Sequence, residues 1–365
     1  MHRSPGCPAP RRATLGLRSG SRAACPGRYT PPVILPGFEH RPGLHCGSTA
    51  LADALRVRGV ALSEPMAFGL GAGLGFYYLS APELSPSHLF VGRSAHLERA
   101  ACEVLGLSAV ERSADDPASA WEGARAALER GLAPILSTDL AELPYWGSRT
   151  RFGGHRVVLA GHDATRGIAW LADTDRPGLE AVPLDALARA RASIAPPFGT
   201  GGNPWLEVDA PAPPRPLGEA VREALRRQAR EMLLDPDGFA GVSAIERFAA
   251  ELPDWPARAT GEADRAWCFR YAWQVTEKRG TGGGLFRALY ARFLREAEAA
   301  LPGLAALRLP DRMDALAAGW SALAEGMRAA GEVPGGAVSP ELAAQARALA
   351  QAERRYHEDV AARVP

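Results

Sequence analysis

An α+β fold follows from three observations on this 365-residue chain. Helical segments come first and consecutive short strands follow, without the strict strand–helix alternation that a parallel sheet requires. A Pro/Gly-rich stretch then runs over 196–216, with Pro196-Pro197, Gly201-Gly202 and prolines from 211 to 216. Beyond it every segment carries apolar residues at three- and four-residue spacing, the mark of amphipathic helices. The expected organisation is a disordered extension at 1–32, an α+β domain at 33–195, a linker at 196–216 and a helical domain at 217–365. The α+β domain is expected to pack an N-terminal helix on an antiparallel sheet.

The first domain starts near Val33. Pro42 and Gly43 break regular structure ahead of Cys46, and Ala50, Leu51, Ala54, Leu55 and Val57 then share one helical face up to Gly59. Glycines recur at 69, 71, 73 and 75. Their spacing fits neither the dinucleotide nor the P-loop pattern, so they imply close approach of another backbone or a ligand. Helices are predicted over 94–106 and over 117–130, the second opened by Asp116-Pro117. Short apolar strands follow at 133–138, 156–161 and 168–172, the last two joined by the polar turn 162–167. In the second half the helices are 217–234, 241–252, 264–279, 285–300, 311–331 and 340–362, the last begun by Ser339-Pro340-Glu341.

Composition excludes several functions. There are 42 basic and 41 acidic residues, net +1, so no electrostatic case exists for a nucleic-acid partner. No apolar run reaches the length of a membrane helix. The five cysteines are odd in number and scattered, with neither disulfide-framework nor zinc spacing, which fits a reducing cytoplasm. The arginine-rich N-terminus lacks the apolar core of a secretory signal. No metal or cofactor motif is visible.

Cys46 is the candidate nucleophile. At a helix start, unpaired N–H groups and the positive end of the dipole favour a thiolate, although a buried packing cysteine is an ordinary alternative. A thiol nucleophile needs a base and a group that orients the base. His155 follows Gly153-Gly154 and opens an apolar strand, so its ring sits at a sheet end. The next strand ends at Asp173, and adjacent antiparallel strands bring such ends together. Asp175, beside Arg176-Pro177, reads better as a turn residue. For the oxyanion, the Cys46 N–H is available and His40, six residues upstream, is the candidate side chain. Asp139 and Glu142 could line the cleft and suit a cationic acceptor, with Glu64 a further candidate for substrate binding. Lys278-Arg279 precede Gly280-Thr281-Gly282-Gly283-Gly284 and a helix carrying Arg287. Free N–H groups and basic flanks make an anion site there, with Arg279 and Arg287 as ligands, against the plainer reading of a packed glycine turn.

A cysteine on an N-terminal helix, a histidine on a strand and an Asp on the following strand is the order of papain-like cysteine enzymes. Residues His45–Leu51, Ser63–Gly71, Gly153–Leu159 and Ala172-Asp173-Thr174 resemble the N-terminal domain of the butirosin biosynthesis protein H family over about 33–195. Ala244–Phe248 and Glu277–Arg287 resemble the helical domain usually fused behind it. The resemblance implies a papain-like fold with Cys46 as nucleophile, His155 as base and Asp173 as orienter. It further implies an acyltransferase of secondary metabolism that takes its acyl group from an acyl carrier protein or coenzyme A thioester and passes it to a small-molecule amine. The rival expectations are a cysteine peptidase or amidase with water as acceptor, and a non-catalytic scaffold of a biosynthetic cluster.

Overall fold

A computed structural model describes residues 33–196, 199, 201–235 and 238–364. The extension expected at 1–32 lies outside the described residues. In chain order the elements are β1 (Val33–Ile34), α1 (Cys46–Val57), α2 (Glu64–Leu70), β2 (Leu74–Ser80), β3 (His88–Arg93), α3 (Leu97–Leu105), β4 (Ser108–Arg112), α4 (Pro117–Glu129) and β5 (Ile135–Thr138). There follow β6 (His155–Asp163), β7 (Ile168–Ala172), β8 (Leu179–Pro183), α5 (Leu184–Ala192) and β9 (Trp205–Asp209). The helical half comprises α6 (Leu217–Leu233), α7 (Gly241–Glu251), α8 (Trp255–Arg258), α9 (Glu262–Glu277), α10 (Arg287–Ala300), α11 (Leu309–Glu332) and α12 (Pro340–Arg363). The fold class is α+β, as expected.

Seven strands form one antiparallel sheet in the order β4-β9-β5-β6-β7-β8, with β1 paired to β6. Side-chain alternation on β6 divides the core. Val157 and Leu159 face a rear cluster with Ala120 and Ala124 of α4 and Leu187 and Ala190 of α5. Val158 faces a front cluster with Leu51 and Leu55 of α1. Helix α1 therefore lies against the strand that His155 opens. No helix among the described residues is long and apolar enough to cross a membrane.

Two expectations are corrected. The stretch 196–216 contains β9, which pairs with both β4 and β5. Trp205 enters the rear cluster while Leu206 and Val208 enter the front one, so a two-faced strand sits among linker-like residues. The division into domains is also less clean than composition suggests. The β2–β3 hairpin leaves the sheet to the other strands and packs among the helices of the second half. Phe76 stacks on Phe90 at 5.1 Å, and both meet Phe248 and Trp320. The Gln228 side chain bonds both backbone groups of Leu74 at 2.9 Å, finishing a strand edge from α6. One hydrophobic core runs from α1 to α12.

The alternating glycines mark close backbone approach. A Cβ on Gly71 would lie 2.5 Å from the Leu97 carbonyl oxygen, and one on Gly75 would lie 2.7 Å from that of Arg93. Real Cβ atoms do not sit so near, and the hairpin packs there because no side chain intervenes.

Candidate active site

Helix α1 begins in a loop tied down from three directions. His45 is its N-cap in extended conformation, with the ring Nδ1 accepting the Ser48 N–H at 3.3 Å. Glu64, from the first turn of α2, accepts the N–H groups of Leu44 at 2.7 Å and His45 at 2.6 Å. Gly43 donates its N–H to the Thr174 carbonyl at 2.7 Å, which joins this loop to the segment after β7. Glu64 thus serves as a carboxylate cap on the helix start, and the substrate contact expected of it is replaced by this bracing role. Cys46 is the first residue of α1, half-buried, and no acceptor is paired with its N–H among the described residues.

Cys46, His155 and Asp173 come together. The His155 ring neighbours the Cys46 thiol, and each favours the charged form of the other. Its Nε2 lies 2.8 and 2.9 Å from the two Asp173 carboxylate oxygens, which leaves Nδ1 for the sulfur. The Asp173 Oδ2 also accepts the Tyr145 hydroxyl at 2.6 Å and the Trp146 indole N–H at 2.8 Å, and Thr174 Oγ1 donates to Oδ1 at 3.1 Å. The Trp146 ring stands edge-on to His155, and the Arg176 guanidinium lies 4.5 Å from the Trp146 ring centroid. Tyr145 and Trp146 are not among the residues expected from the sequence. They sit in a short 3-10 turn, Pro144–Trp146, and their signal in the sequence is only a pair of polar-tipped aromatics in a loop.

The charges follow from these contacts. Burial alone would push the Cys46 thiol up, but the neighbouring His155, the charge of Arg93 and the Arg156 backbone outweigh it, and the thiol falls below its ordinary value. Burial would lower His155, yet the Asp173 carboxylate and the Cys46 sulfur push it up to about 10. Burial would raise Asp173, and the imidazolium with the Tyr145 and Trp146 donors instead hold it at about 2. The arrangement favours a thiolate–imidazolium pair steered by a carboxylate. Cys102 shows the contrast: buried and beside Glu98, its thiol is pushed up to about 12.

The other expected residues stand elsewhere. His40 Nδ1 is bonded to Asp53 Oδ2 at 2.5 Å, in the middle of α1, and no hydrogen bond joins it to Cys46. Asp139 is fully buried, and its oxygens accept from Ala141 and Phe152 N–H, Ser193 Oγ and Arg151. It closes a turn and has no oxygen to spare for a cationic acceptor. Glu142 is paired with Arg151 and Arg189. Arg279 bonds Gln274 at 2.7 Å and stacks over Tyr271. Arg287 is wholly buried, 2.7 Å from a wholly buried Glu353, so it cannot meet an anion from solvent. The glycine loop before it is a packed turn. Gly280 and Gly282 have φ of +68° and +69°, and Cβ atoms on them would lie 2.9 Å from the Leu44 carbonyl oxygen and Cδ1 respectively. Phe286 follows in left-handed conformation and sets its ring edge-on to His45 at 5.4 Å. The helical half therefore presses on the residues immediately before Cys46. Among the described residues no group of His, Cys, Asp and Glu could hold a metal.

Two family models match the chain. Residues 45–174 match Butirosin biosynthesis protein H, N-terminal, and residues 185–360 match a domain of unknown function, DUF4872. No curated protein matches it.

Proposed function

The chain belongs over residues 45–174 to the family described as Butirosin biosynthesis protein H, N-terminal, with a DUF4872 domain behind it, and from that membership we propose a cysteine-dependent acyltransferase of secondary metabolism. The single observation that carries the reading is the Cys46–His155–Asp173 constellation at the start of α1, with the thiol lowered and the imidazole raised. A papain-like fold is part of the same proposal, supported by a nucleophile helix packed on the strand that His155 opens.

The Cys46 thiolate attacks the carbonyl carbon of a thioester. Negative charge develops on the carbonyl oxygen, where the Cys46 N–H at the helix start can meet it. The carbon–sulfur bond to the donor breaks, and the His155 imidazolium gives its proton to the departing thiolate. An amine then attacks the acyl-enzyme, His155 takes the amine proton, and Cys46 leaves as thiolate. The sum is thioester plus amine giving amide plus thiol, which balances without ATP. Carrier-protein or coenzyme A thioesters are the donors this chemistry accepts, and a small-molecule amine the acceptor.

The test uses a butyryl N-acetylcysteamine thioester as donor. Intact mass should rise by one butyryl group, mapped to Cys46, and the rise should vanish in Cys46→Ala. Subsequent addition of an amine should release the butyramide product in preference to butyrate. Iodoacetamide should label Cys46 well before Cys102 or Cys268, both buried with thiols pushed up. Equal labelling of the three, with no acyl adduct, would sink the proposal.

A further inference from the structure

Beside the start of α1 lies an open cleft of about 370 Å³, walled by Arg93 at the end of β3, by His96, Glu98 and Arg99 around the start of α3, and by Arg156 of β6. We propose that this cleft binds an anionic group of the acyl donor, a phosphate or a carboxylate, with Arg93, Arg99 and Arg156 as its ligands. The proposal rests on the acyltransferase reading and names which donors it favours.

The cleft adjoins the thiol. Arg156 follows His155 on β6, its backbone helps lower the Cys46 thiol, and its guanidinium lines the cleft beside Glu98. Glu98 Oε1 would lie 3.0 Å from a Cβ on Gly47, the residue after the nucleophile. A donor whose carbonyl sits at Cys46 therefore has this cleft within reach of its tail or its acyl chain.

The charge is positive. Three arginines face two carboxylates, Glu98 and Glu111. Glu98 is nearly buried and held by Arg156 at 3.2 Å, so it orients that guanidinium. Arg99 meets Glu111 only at 3.7 Å, with both side chains about half exposed, a pair that water and salt screen strongly. An incoming anion can displace it, because the guanidinium fork matches phosphate and carboxylate oxygens two at a time. The same field acts on the neighbouring groups: Arg93 draws the Cys46 thiol down, and after burial Arg93 and Arg156 disfavour a charge on His45.

The experiment compares paired donors. One pair is butyryl-coenzyme A against butyryl-pantetheine, which lacks phosphate; the other is glutaryl against butyryl N-acetylcysteamine, differing by a terminal carboxylate. The readout is the ratio of kcat/KM for Cys46 acylation within each pair, for the wild-type chain and for the Arg93→Gln/Arg99→Gln variant. The wild type should prefer the charged member of one pair, and the double variant should lose that preference by at least about tenfold, the scale of a charge-assisted bidentate contact. Restoring the charge with Arg93→Lys/Arg99→Lys should recover part of it. Loss in the coenzyme A pair identifies phosphate, and loss in the glutaryl pair identifies carboxylate. Ratios unchanged by the substitutions in both pairs overturn the cleft assignment while leaving the acyltransferase intact. Failure of every neutral donor to acylate Cys46 would instead overturn the underlying reading.

Discussion

Replacing Arg287 by Leu separates a structural ion pair from a substrate ligand. Arg287 Nε lies 2.7 Å from Glu353 Oε1, and both side chains are fully buried. The same Glu353 oxygen accepts the Trp320 indole N–H at 2.6 Å, and Arg287 Nη1 donates to the Leu285 carbonyl at 2.8 Å and the Gly92 carbonyl at 3.5 Å. Removing the guanidinium leaves a carboxylate in an apolar interior whose charged form depends on it, Glu353 being held at about 2 by Arg287 and His357 against burial. Breaking one partner of such a pair costs about 3–5 kcal/mol, which lowers the melting temperature of a chain this long by about 4–7 °C. The double variant Arg287→Met/Glu353→Gln keeps an acceptor for Trp320 and removes both charges, so most of that loss should return. Thermal and denaturant unfolding of the three proteins measure this, alongside acylation of the folded protein at a permissive temperature. A fully stable Arg287→Leu protein with a raised KM for a charged donor would refute the reasoning and restore Arg287 as an anion ligand.

Asp173→Asn should lower the His155 pKa and let the Cys46 thiol rise, since the carboxylate charge is what sustains the imidazolium; iodoacetamide alkylation of Cys46 at pH 6 should slow about tenfold or more, read by mass spectrometry. Gly282→Ala places a side chain at φ +69° and 2.9 Å from Leu44 Cδ1, costing about 1–2 kcal/mol for the left-handed backbone alone, and should appear as an earlier melt. A Gly282→Ala protein as stable as the wild type would mean the loop does not bear on Leu44.

Local patterns in the sequence locate the longer helices and three central strands closely, while the short helices α2, α5 and α8 carry no comparable signal. Ile168–Ala172 is a strand with the expected limits, and Pro340 opens the last helix with a Ser339 cap. Cys46, His155 and Asp173 are legible because each stands at the end of an element whose periodicity is plain. The misreadings share a cause. Asp139, Glu64 and Arg287 have the chemistry of ligands, and only tertiary contacts reveal that their polar atoms are spent inside the protein, on a turn, a helix start and a buried pair. Trp205–Asp209 reads as linker because prolines and glycines flank it, while its pairing partners lie about 70 and 95 residues upstream. The arginine cleft draws on β3, α3 and β6, and no spacing in the chain announces that they converge.

The same buried charges set the dependence of stability on pH. Asp173 falls from 3.8 to about 2 and Glu353 from 4.5 to about 2, so each contributes about 2–3 kcal/mol that is present above its unfolded value and lost as pH falls toward 2. His45 and His357 are buried with lowered values, and the unfolded chain protonates them below about 6.5, which draws the acid limb up toward neutrality. His155 acts in the opposite sense. Raised from 6.5 to about 10, its contribution is complete below 6.5 and is lost as pH rises through 10. Cys46, lowered from 9.0, contributes above that value and offsets part of the alkaline loss. Stability should therefore peak near pH 6.5 and decline on both sides. His155→Gln should flatten the decline above the peak and move the acid limb to higher pH, because Asp173 loses the cation that lowers it. Measured unfolding free energies across the range from acid to alkaline pH decide the matter: an alkaline limb that persists unchanged in His155→Gln shows that His155 does not carry the buried charge on which the thiolate depends.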